Sequence, residues 1–105
     1  MSTPQNMALL RAAYEGNLAR AREAVEDGAD VEYMEPQTKL AALHLAVGRD
    51  HLDLVKYLLE EVGAQLRPDG FGRWPSVIAA QCRASDAVSD FVVEREAVLD
   101  KAGDR

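Results

Sequence analysis

Residues 41–64, AALHLAVGRDHLDLVKYLLEEVGA, constrain the fold most, because they hold two short helical patterns divided and closed by turn residues. Leu43, Leu45, Ala46 and Val47 form one apolar run, which Gly48-Arg49-Asp50 interrupts. Leu52, Leu54, Val55, Leu58 and Leu59 follow at roughly helical spacing. Gly63 then ends the second run, where a glycine adopts positive φ at little cost. The pattern recurs. Leu9-Leu10-Arg11-Ala12-Ala13 matches Leu43-His44-Leu45-Ala46-Val47 at an offset of 34 residues, and Val77 lies 33 residues after His44. No single pair of short helices can bury its apolar face alone, so the repetition predicts a stack of helix pairs.

The central unit resembles an ankyrin repeat, a pattern that opens on Thr-Pro-Leu-His-x-Ala and closes on Leu-Leu-x-x-Gly-Ala-Asp. Leu43-His44-Leu45-Ala46 stands for the opening, His51 for the histidine of the mid-repeat Gly-His pair, and Leu58-Leu59 with Gly63-Ala64 for the closure. Ala41-Ala42 replaces Thr-Pro, Asp50 the mid-repeat Gly and Gln65 the final Asp, while Val62 reads as a one-residue insertion. Gly28-Ala29-Asp30-Val31 closes a first repeat, and Asp69-x-x-Gly72-x-Trp74-Pro75 opens a third. The resemblance covers about residues 7–93. It implies an all-α ankyrin-repeat solenoid of about three helix-turn-helix units joined by short finger loops. The repeats fall at about 6–35, 36–68 and 69–102 within a single domain, 6–105. Helices are expected to start near residues 6, 17, 42, 51, 75 and 85. Residues 1–5 read as a polar, disordered tail, with Asn6 capping the first helix. Val88, Phe91, Val92, Val98 and Leu99 give the last helix an apolar stripe to about Ala102, suiting a C-terminal cap.

Charge narrows the function classes. The 105 residues carry 18 acidic and 12 basic side chains, a net −6. That balance argues against nucleic-acid binding, which requires a positive footprint over phosphates. Nine Arg against three Lys, with abundant Ala, gives a faint hint of a GC-rich, bacterial genome. No apolar run is long enough to span a bilayer and the N-terminus lacks a basic-then-apolar signal, so a cytoplasmic address is expected. Cys82 is the only cysteine and forms no internal disulfide.

Candidate chemistry is sparse. His44 and His51 stand at positions where the resemblance implies structural hydrogen bonds, and Cys82 has no flanking Lys or His to activate it. Gly70-Phe71-Gly72 precedes Trp74-Pro75 in a turn and does not follow a strand, so it is no phosphate loop. No catalytic residue, cofactor or metal ligand is expected. The acidic run Glu23, Glu26, Asp27, Asp30, Glu32 and Glu35 reads as a solvated face, with a docking patch for a basic partner as the alternative.

The resemblance instead places a partner-binding surface on the concave side: Tyr14, Tyr33, Met34, Arg49, Phe71, Arg73, Trp74, Gln81 and Cys82. Trp74 replaces a threonine of the pattern, which leaves packing between repeats and exposure both open. Arg20, Glu23, Lys56 and Glu60 belong to a solvated back. The function this implies is non-catalytic protein–protein recognition, with another protein as partner and neither nucleic acid nor membrane. A neutralising immunity or antitoxin protein, a scaffold, an acidic nucleic-acid mimic and a structural homo-oligomer are the alternatives.

Overall fold

A computed structural model describes residues 3–103 as three helix pairs joined by two finger loops. The inner helices are α1 (Pro4–Glu15), α3 (Ala42–Gly48) and α5 (Pro75–Gln81). The outer helices are α2 (Leu18–Glu26), α4 (Leu52–Lys56, continued by a π turn over Tyr57–Val62) and α6 (Asp86–Gly103). Among the described residues there is no strand. The chain is therefore the all-α stack that the repeated pattern implies. One boundary needs correction. Helix α1 begins at Pro4, capped by the Thr3 hydroxyl, which accepts from the Asn6 N–H at 3.1 Å. Asn6 is thus inside the helix, and the expected disordered stretch over 1–5 gives way to a capped helix start at Thr3–Gln5; Met1 and Ser2 lie outside the described residues.

Each pair turns on a residue with positive φ at the same place in the repeat: Gly16 (φ 78°), Asp50 (φ 64°) and Arg83 (φ 56°). Glycine meets no steric penalty there, and aspartate is among the side chains that tolerate this region best. Asp50 offsets its backbone cost with a bond to the next repeat, since its carboxylate accepts from both the Ser85 N–H (2.9 Å) and the Ser85 hydroxyl (2.8 Å). Gly16 is needed for space as well, because a Cβ there would lie 2.5 Å from the His51 ring. The extra residue at Val62 is absorbed by the π turn. Between Val25 and Gly28 there are two residues, and between Leu59 and Gly63 there are three. Wider i→i+5 winding takes up the difference within the helix, and the Gly63 N–H and Ala64 N–H both reach the Leu58 carbonyl.

Burial follows the pattern. Leu9, Ala13, Ala21, Val47, Leu54, Val55, Leu58, Val88 and Val92 are almost wholly removed from water, forming one core through all three pairs. The expected stripe on α6 is shorter than its sequence suggests. Val88 and Val92 are buried and Phe91 packs at the core edge, whereas Val98 and Leu99 are 64% and 42% exposed. Helix α6 has there run past the repeat it packs on.

Buried polar side chains hold the repeats in register. The Asn6 amide oxygen accepts from the Asp30 N–H at 2.7 Å, tying α1 to the start of the first finger. His44 is 2% exposed; its Nδ1 accepts from the Ala41 N–H at 3.0 Å. That leaves the proton on Nε2, which donates to the Arg67 carbonyl at 2.9 Å. His51 donates to the Tyr14 carbonyl at 3.2 Å. Burial holds the His44 imidazolium pKa below its ordinary 6.5. A folded state with the lower pKa refuses a proton that the unfolded chain accepts, so His44 costs stability as pH falls below about 6.5. Replacing it with glutamine should destabilise the protein by about 1–3 kcal/mol at pH 7. Urea unfolding should then show a shallower loss of stability between pH 6.5 and 5 than the wild type gives.

Candidate functional site

The second finger is built on one buried carboxylate. Asp69 accepts from the Phe71 and Arg73 N–H groups on Oδ1 (both 2.9 Å) and from the Arg73 guanidinium on Oδ2 (2.9 Å to Nε, 2.8 Å to Nη2). Its side chain is fully shielded from water. Burial pushes the Asp69 pKa up, and the backbone N–H groups with Arg73 more than reverse that, leaving it below the usual 3.8. Gly70 donates to the Lys39 carbonyl at 2.8 Å, so the two fingers are joined, and a Cβ at Gly70 would meet Lys39 Cβ at 2.6 Å. The first finger is closed by Glu35, whose carboxylate accepts from the Gln37 (3.1 Å) and Thr38 (2.8 Å) N–H groups.

From this finger a continuous band crosses the inner helices. Arg73 spans from Asp69 to the Gln81 side chain at the end of α5 (3.1 Å). Beyond Gln81 lies exposed Cys82, whose Sγ sits so near α3 that a Cβ at Gly48 would be 3.5 Å from it. Beyond Gly48 lies Arg49, with its guanidinium 4.3 Å over the Tyr14 ring of α1. The structure thus brings Phe71, Arg73, Gln81, Cys82, Arg49 and Tyr14 together. Phe71 and Tyr14 are 66% and 50% exposed. Trp74, at the N-cap position of α5, is 39% exposed, which resolves the two options in favour of the surface.

Three expected members differ. Tyr33 is half-buried against the core and Met34 is partly covered, so neither is a free finger tip. Arg73 is largely consumed by Asp69, so it shapes the finger more than it offers itself outward. One residue escaped the sequence reading: Arg83, exposed on the positive-φ turn beside Cys82, where the related turns carry Gly16 and Asp50. The equivalence of the three turns, visible in the 34- and 33-residue offsets, was the signal that could have found it.

The acidic run also divides. Asp30, Glu32 and Glu35 turn back to accept from finger N–H groups, while Glu23, Glu26 and Asp27 lie on the exposed side of α2. On the inner helices, fingers and turns, Arg11, Lys39, Arg49, Arg67, Arg73 and Arg83 nearly balance Glu15, Asp27, Asp30, Glu32, Glu35, Asp50 and Asp69. The excess of acids is mostly on α4 with its π turn and on α6. Among the described residues, no group of three His, Cys, Asp or Glu side chains is placed to hold a metal ion. No described helix is long and apolar enough to cross a membrane.

The family described as ankyrin repeats (3 copies) matches residues 6–101, and the chain belongs to it. Ankyrin repeats are generally protein–protein interaction modules. No curated protein sequence matches the chain.

Removal of the Arg73 side chain should therefore unsettle the fold, because Asp69 would keep its burial and lose its cation. We expect Arg73→Ala to lower unfolding free energy by about 1–3 kcal/mol. Phe71→Ala should change it by less than about 0.5 kcal/mol. Denaturant titration of the two variants side by side checks both values.

Proposed function

We infer that the chain is a non-catalytic recognition module whose working surface is the inner band from Phe71 and Trp74 through Gln81 and Cys82 to Arg49 and Tyr14. The observation that carries this reading is the exposure of Phe71, Tyr14 and Trp74 on a framework already satisfied internally. Asp69, Arg73 and Glu35 spend their hydrogen bonds on the fingers themselves, so the aromatic side chains stand on a rigid base. Exposed aromatic and arginine side chains on a preorganised surface are the usual anchors of protein interfaces.

The excess of carboxylates on the outer helices favours a second reading, in which that face docks a basic partner or imitates nucleic acid toward one. Solubility alone would also account for that face. Its internal ion pairs, Arg22 with Glu61 and Arg95 with Glu60, are exposed and contribute about 1 kcal/mol or less each.

Affinity purification with mass spectrometry, followed by alanine scanning against the partner recovered, separates these readings. Phe71→Ala or Arg49→Ala should weaken binding by roughly 1–3 kcal/mol, and Lys56→Ala by no more than about 0.5 kcal/mol. Losses confined to the outer helices would move the site to the back face. A stoichiometric complex with one toxin or enzyme would identify a neutralising protein, and several unrelated partners a scaffold.

A further inference from the structure

Arg49 is prepared for a ligand of a particular kind. Its guanidinium lies 4.3 Å over the Tyr14 ring, and the residue is exposed to water. A guanidinium held this way loses little freedom on binding and presents paired donors to a planar anion. Among the described residues, neither Arg49 nor Arg83 takes part in an ion pair. Three acids of the inner helices, turns and fingers are already engaged. Glu15, which holds the position of Arg49 in the first repeat, is bound by Arg11 at 3.2 Å; Asp50 is bound to Ser85, and Asp69 to Arg73. The inner face thus offers unpaired cations in a chain whose net charge is −6.

We propose that the inner band recognises an acidic protein segment, with an Asp or Glu carboxylate seated on the edge of Arg49 and a second drawn to Arg83. The proposal rests on the inner band being the working surface and adds the chemistry of its partner. Of the acids of the outer helices, Asp53 and Asp86 open α4 and α6 close to Arg49 and Arg83, whereas Glu60, Glu61, Glu94 and Glu96 stand about two turns or more along those helices; charges in physiological salt are screened over about 8 Å. Phe71 and Trp74, both exposed, give such a segment apolar side-chain contacts at the other end of the band.

A library of random twelve-residue peptides displayed for selection on the immobilised full chain tests this directly. Selected peptides should be enriched in Asp or Glu and should lose binding to Phe71→Ala. For a selected peptide made synthetically, Arg49→Gln should weaken binding roughly tenfold, the size of one charge-assisted contact. Lys56→Gln removes the same charge from the outer face and should change binding less than about twofold. Peptides that need Phe71 but carry no acidic enrichment, or bind Arg49→Gln as well as wild type, would overturn the acidic partner and leave the inner band standing. Basic peptides insensitive to Phe71→Ala, or no selected peptide at all, would overturn both.

Discussion

The imidazole of His44 is the contact on which the stack depends. It joins the Ala41 N–H at the start of α3 to the Arg67 carbonyl of the following finger, and it does so almost without exposure to water. Ala41 has no side chain able to cap its helix, and the histidine three residues on makes the reciprocal bond of a capping box, accepting from the Ala41 N–H. A buried polar group left without a partner is costly, which makes this bridge specific to one register of helix against finger. His51 repeats the device at the other end of the pair by packing on Gly16 and donating to the Tyr14 carbonyl. That imidazole thereby holds the backbone of Tyr14, the residue whose ring lies under Arg49. Structural histidines and candidate binding residues belong to one chain of contacts.

Where the sequence departs from the ankyrin pattern, the backbone compensates locally. Asp50 occupies a positive-φ turn that the pattern gives to glycine, and its carboxylate gains Ser85 in return. Val62 adds a residue, and the outer helix widens into a π turn while Gly63 still closes the repeat. Both departures leave the inner helices undisturbed, so the band is carried by an ordinary stack.

The repeat spacing made most of the fold legible. Helix starts at Ala42 and Pro75 fall where the pattern put them, and the others within one or two residues. The errors share a cause: each concerns a partner distant in sequence or a burial that periodicity does not encode. Asn6 looked like a cap because its true partner, the Asp30 N–H, lies 24 residues away. Arg73 looked free because the full burial of Asp69 is a property of two adjoining fingers. Val98 and Leu99 share the helical stripe of Val88 and Val92 but extend beyond the layer that would cover them. Arg83 was overlooked because its interest comes from lacking a partner, and a sequence shows no partners.

Side-chain acceptors, His44 foremost, lock the fingers to their helix pairs. Native-state hydrogen exchange of the Ala41 amide tests it most directly. That amide is held by His44 Nδ1 in a buried site, so it should exchange only with global unfolding, as slowly as the amide of Val55 in α4. Exchange as fast as at Gln37, whose N–H is bonded within the exposed tip of the first finger, would mean that His44 does not lock the start of α3.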